Sequence, residues 1–268
     1  MILQQVTSEG LAHHSYYLGS GREAAVIDPR RDLGIYLRLA REHDQDITHI
    51  FETHRNEDYV SGSTGLAARS GAQIYHGSAT SFRFGQPVSE GDEFSIGDIS
   101  VRILETPGHT LESISLVITD RKISEGPYLV FTGDALFAGD VGRTDLIEGI
   151  RKEDAAGLLH DSLIKKILPL GEAVLVYPAH GAGSVCGIDI ADHQVTTIGY
   201  ERKTNPLLSL TREHFMDKKA REHNYSPPYF RMMEQKNLDG AGEFYHIPDL
   251  MPLSPERIKD EGRNGVQI

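Results

Sequence analysis

The chain has a single cysteine, Cys186, so it cannot close an internal disulfide, and that fits a reducing compartment. No stretch approaches the roughly 18 consecutive apolar residues that a membrane helix needs. The N-terminus, "MILQQVTSEGLAHHSYYLGS", lacks the basic-then-apolar order of a secretory signal. A soluble, cytoplasmic protein is expected. The net charge of -12 carries no clustered Lys and Arg, which argues against nucleic acid as a partner. No Gly-rich phosphate loop precedes a helix; "GDVGR" does not have that form.

What is present is an ordinary globular composition, 39% hydrophobic and 25% charged over 268 residues, enough for a sizeable core. Short apolar runs alternate with turns in the first half: "SYYLGS", "EAAVIDP", a helical stretch "DLGIYLRLAREH" with Asp32 as its expected N-cap, then "ITHIFET". "VSGSTGLAARSG" predicts a short helix closed by Gly71, and "AQIYHG" a strand. Four strands are expected between residues 92 and 132, a helix from about Arg151 to Ile167, and a strand in "AVLVYPAHG". This order predicts two sheets face to face with helices outside. Residues 1–205 form the expected catalytic domain. Residues 206–268, with a Pro pair and few aliphatics, read as an extension or linker. The tail "LSPERIKDEGRNGVQI" reads as a capped helix ending at Gly262 and the start of a strand, as if cut from a longer protein.

Chemistry concentrates at strand ends. "HIFETHRNEDYVSG" puts His54, Asn56, Asp58 and Tyr59 on one turn at the spacing H-x-N-x-D-Y. His109 in "ETPGHTLES", Asp134 in "FTGDALF" and His180 in "YPAHGAG" each follow an apolar strand beside Gly or Pro, where the backbone turns sharply and projects a side chain into a cleft. Any one of them alone would be an ordinary hydrogen-bonded residue. His13 and His14 fall between a turn and a strand and are assigned surface or capping roles.

In order along the chain, the H-x-[HN]-x-D-[HY] loop, "PGHT", "TGD" and "PAHG" resemble the metallo-β-lactamase superfamily. The resemblance implies an αββα sandwich with metal at one edge: His54, Asn56, His109 and Asp134 around one position, and Asp58, Tyr59, Asp134 and His180 around a second. Amide oxygen and phenol are poorer zinc ligands than imidazole, so the second position is expected to be empty. His54, His109 and Asp134 survive at the first. Two imidazoles and a carboxylate suit non-haem Fe(II), although the ligand types also admit Zn.

"GDVGRTDL" with "YPAHG" resembles the persulfide dioxygenase branch, and "HGAGSVCGIDIADHQVTTIGYE" its members fused to rhodanese domains. That resemblance implies one iron per chain on His54, His109 and Asp134. It implies a thiol persulfide and O2 as substrates in sulfide oxidation, a rhodanese domain beyond the extension, and Arg143 and Tyr177 near the thiol carrier. Cys186 is a candidate for handling sulfur, against a buried-thiol reading. Asn56, Asp58, Tyr59 and His180 would surround the ligands, with Asp58 accepting a ring N–H. Arg143 has an alternative reading as an ion pair with Asp145 or Asp140. A homo-oligomer is expected. The competing functional reading is a mononuclear zinc hydrolase of the glyoxalase II type.

Overall fold

A computed structural model describes residues 1–242. The expected tail helix and strand fall at 253–268 and lie outside the described residues.

The first sheet contains β1 (Ile2–Ser8), β2 (His13–Ser20), β3 (Glu23–Ile27), β4 (Asp46–Glu52), β5 (Gln73–Gly77) and β6 (Gln86–Val88), in that spatial order. Its first three strands pair antiparallel, and β3 through β6 pair parallel. The second sheet is β7 (Glu93–Ile96), β8 (Ile99–Glu105), β9 (Ile114–Asp120), β10 (Leu129–Gly133), β11 (Leu175–Pro178) and the two-residue β12 (Thr196–Thr197). Here β10 and β11 are parallel and the remaining pairs antiparallel.

Helices α1 (Gly34–Glu42) and α2 (Ser63–Ser70) cover the first sheet, while α3 (Lys152–Ser162), α4 (Ile198–Thr204) and α5 (Arg212–Ala220) cover the second. A further helix, α6 (Phe230–Asp239), follows. This is the αββα sandwich. Period-two alternation on β8 sends Ile99, Val101 and Ile103 between the sheets, where they meet Leu18, Phe51, Ile118 and Phe131. Each such side chain contributes about 1.5–3 kcal/mol on burial.

Local expectations fail in a few places. Asp32 does not cap α1: its carboxylate pairs with Arg30 (3.0 Å), and the helix begins from Leu33, whose carbonyl accepts from Leu37 N–H. His13 and His14 are buried on β2, not at the surface. Backbone bonds explain this, because His14 N–H donates to Ala179 O and His13 bridges to His180, tying β2 to the far sheet at its edge. Edge strands β1 and β6 are additions to the expected set. No helix among the described residues is long and apolar enough to cross a membrane.

Candidate metal centre

Four loops at one edge of the sandwich converge: the loop after β4 (His54 to Asp58), the β8–β9 loop (His109), the end of β10 (Asp134) and the end of β11 (His180). Two glycines make the approach possible. Gly133 has φ +52 directly before Asp134, and a Cβ there would lie 2.8 Å from Thr53 Oγ1. Gly108, with φ +143 before His109, passes so close to α3 that a Cβ would lie 2.4 Å from Leu159. At both positions an L side chain is strained as well as crowded.

The tautomers are set by what each ring's other nitrogen touches. Thr53 Oγ1 donates to Asp28 Oδ2 (2.7 Å), so it accepts from His54 Nδ1–H (2.8 Å). His109 Nδ1–H donates to the Arg143 carbonyl (3.0 Å). Each ring therefore turns Nε2 inward. His54 Nε2 has no hydrogen-bond partner, and neither has Asp134 Oδ2, which lies 3.8 Å from it and 3.5 Å from His109 Nε2. The three expected ligands thus share one small space.

A fourth donor, which sequence reasoning missed, joins them. Glu57 Oε2 lies 3.3 Å from His109 Nε2 and 4.0 Å from His54 Nε2. Donor atoms on one ion at about 2.1 Å lie roughly 3.0–3.5 Å apart when adjacent, so this set fits a cation with modest contraction. Orphaned buried donors are costly without one. The only sequence signal was an acidic residue between the ligand positions of the H-x-N-E-D-Y turn.

His180 differs from the other two histidines. Its Nδ1 meets Asp134 Oδ1 (2.8 Å) and its Nε2 meets Asp58 Oδ2 (3.0 Å), so both nitrogens act as N–H donors. Burial opposes the charge, but Asp134 and Asp58 raise its pKa well above the usual imidazole value. Asp58 thus acts on Asp134 through His180. Burial lowers the His54 pKa, whereas at His109 burial is outweighed by Glu57 and Asp134 together, which raise it to about 8. Against burial, His109 holds Glu57 down to about 2, and His180 with His54 holds Asp134 well below the carboxylate range.

The other expected residues fall in different places. Asn56, at φ +25, donates from Nδ2 to His54 O (3.1 Å) and shapes the turn. Tyr59 packs at a tilt against His13 (ring centroids 4.1 Å) and its hydroxyl reaches the Asp28 carbonyl (3.4 Å). Arg143 gives its carbonyl to His109, while its guanidinium pairs with Asp145 (2.7 and 3.0 Å) and donates to Tyr225 O and Ser226 Oγ. Tyr177 turns its ring between the sheets onto Tyr16 and Phe131. Cys186 is buried at the edge of the cluster, and its thiol donates to Glu57 Oε1 (3.2 Å). Burial, then Glu57, pushes that thiol's pKa well up.

A model of the metallo-β-lactamase superfamily matches residues 9–180. The chain belongs to that superfamily. Among curated superfamily relatives, a mitochondrial persulfide dioxygenase, ETHE1 of Bos taurus, is 30% identical over 224 residues, covering 81% of this chain and 79% of that protein. The hydroxyacylglutathione hydrolase GloC of Haemophilus influenzae is 27% identical over 210 residues, 70% of this chain and 88% of that one. Among solved structures, a metallo-β-lactamase from Staphylococcus aureus superposes with TM-score 0.85 at 31% identity, covering all of this chain and 82% of that one. ETHE1 from Myxococcus xanthus superposes with TM-score 0.77 at 30% identity, covering 88% and 98%.

Proposed function

We propose that this chain is a non-haem iron persulfide dioxygenase. It would convert R–S–SH, O2 and water into R–SH, sulfite and two protons. The observation that carries the reading is the convergence of His54 Nε2, His109 Nε2 and the unpartnered Asp134 Oδ2 on one buried point. The similarity to ETHE1 proteins supports the reaction class.

Fe(II) bound by His54, His109 and Asp134 would supply the redox chemistry that joins O2 to sulfur. The chain's own residues prepare the place. Thr53 and the Arg143 carbonyl hold the two rings with Nε2 forward, so neither must reorient on binding. His180, donating to both Asp134 and Asp58, holds Asp134 by Oδ1 and leaves Oδ2 free to bind an ion. Glu57 lies where a further donor or a substrate proton would sit, and the Cys186 thiol fixes its other oxygen. Cys186 is protonated in this arrangement, so to receive or present sulfane sulfur it would first pass its proton to Glu57 Oε1, the carboxylate oxygen it already donates to. Arg143 acts on the thiol carrier in this reading through the loop it braces, while Tyr177, packed between the sheets, supports the strand that carries His180. A cytoplasmic setting, a rhodanese domain as partner and a homo-oligomeric assembly belong to the same proposal.

The zinc thioesterase reading keeps one support, the GloC relative, together with a donor set that also suits Zn. Protein loaded anaerobically with iron separates the two. Persulfide-dependent oxygen uptake with sulfite release is the expected result. Acyl-thioester hydrolysis without oxygen uptake would overturn the dioxygenase.

A further inference from the structure

The loop from Arg55 to Ser61 belongs to neither a strand nor a helix, so its carbonyls have no ladder partners. Three of them, from Arg55, Asn56 and Tyr59, point at one side-chain amide. Asn237 on α6 directs its two Nδ2 hydrogens to Asn56 O (2.7 Å) and Tyr59 O (2.8 Å), with Arg55 O (3.1 Å) sharing one of them, and its Oδ1 accepts Ser61 N–H (2.8 Å). The side chain is 4% exposed. Asn56 holds a left-handed φ of +25, a strained conformation that persists only when its surroundings over-determine it. Asn237 is a large part of what does so.

One turn earlier on α6, Glu234 Oε1 accepts from Arg55 Nε (2.8 Å). Arg55 reaches onward, with its backbone N–H and its Nη1 on the two oxygens of Glu112 (3.1 and 3.0 Å). Glu112 stands three residues beyond His109 and is 1% exposed. The chain Glu234–Arg55–Glu112 therefore ties α6 to both histidine-bearing loops at once.

We infer that α6 is a positioning element of the metal centre: Asn237, with Glu234, sets the spacing of His54 and Glu57 against His109. The inference rests on the metal site of the proposed function, not on its reaction. A helix some 180 residues along the chain from His54 thus governs the ligand geometry, and the extension is part of the catalytic unit.

The test uses the full chain with cobalt(II) and zinc(II) as probe ions. Affinity is read by chelator competition, and cobalt coordination geometry by its visible d–d absorption, at a temperature where circular dichroism shows every variant folded. Asn237→Ala and Asn237→Asp should weaken affinity about 10–100-fold, the range for groups that orient ligands, and alter the cobalt spectrum. Glu234→Gln should weaken it several-fold, about threefold or more. Leu207→Ala, a buried truncation on the outer face of the second sheet, should lower stability while leaving affinity and spectrum unchanged. Wild-type affinity and spectrum in Asn237→Ala, or equal losses in Leu207→Ala, would overturn the inference. If neither Asn237 variant folds, Glu234→Gln decides it, and unchanged binding there overturns it. Intact metal control by α6 with no dioxygenase activity would sink the proposed reaction alone.

Discussion

Two clusters share Asp134 and differ in one respect. Around Asp134 Oδ2, the inward nitrogen of His54 and the carboxylate oxygen have no hydrogen-bond partners, and His109 and Glu57 stand within 3.5 Å and 3.3 Å contacts of the same space. Around Asp134 Oδ1, His180 donates from both nitrogens to Asp134 and Asp58. In the first cluster His54 Nε2 and Asp134 Oδ2 stay unpaired, whereas in the second both nitrogens of His180 are taken up by carboxylates. Proximity of ligand-type residues is therefore a poor guide to where an ion sits, since Asp58, His180 and Cys186 are also within 4.8 Å of one another. Satisfaction of the donor atoms separates the two.

That contrast can be broken by substitution. Removing His54, His109 or Asp134 as alanine should cost more than about a hundredfold in metal affinity, beyond the 10–100-fold typical of an orienting partner, and abolish persulfide-dependent oxygen uptake. Chelator competition measures the first and an oxygen electrode the second. His180→Ala should fall within that 10–100-fold range, because Asp134 keeps its ligand oxygen but loses its brace. A loss as complete as that of His54→Ala would mean that His180 is itself a ligand and that the two clusters are not distinct. Glu57→Gln should weaken binding about tenfold by removing a charge beside the ion while keeping the shape. Cys186→Ser should change affinity less than about threefold, because the serine hydroxyl can donate to Glu57 Oε1 as the thiol does.

A separate effect, on stability and not on metal affinity, concerns β2. Burial, then His180, lowers the His14 pKa to about 4. The fold carries His14 neutral while the unfolded chain takes up a proton below about 6.5, so this share of stability is present at neutral pH and is lost as pH falls toward 4. Between pH 7 and pH 5 the loss from this group, reduced by solvent screening, amounts to about 1 kcal/mol. Urea midpoints for wild type and His14→Gln should show the variant's pH dependence flattened by that amount; parallel curves would show that His14 titrates normally in the fold.

Much of this was legible in the sequence, for physical reasons that also mark the limit. Strands such as β8 announce themselves because one face is buried and the period is two. His109 and Asp134 stood out because each follows an apolar strand beside a glycine, His54 because it opens the H-x-N-x-D-Y turn that carries the superfamily resemblance, and the fold brings all three together. Glu57 was invisible because its direction depends on the left-handed backbone of Asn56, which no alternation pattern encodes. Asn237 was invisible because all its partners lie on a distant loop. His13 and His14 read as surface residues because their burial comes from contact with the β11 end, far along the chain. Arg143 stood out from its motif, yet the part that reaches the centre is its carbonyl.

Metal analysis of anaerobically prepared wild-type protein beside His109→Ala tests the central claim most directly. About one iron per wild-type chain is expected, held by His54, His109 and Asp134, and none retained by the variant. A wild-type chain that takes up no ion under iron excess, or a His109→Ala chain that holds iron as tightly as wild type, would contradict it.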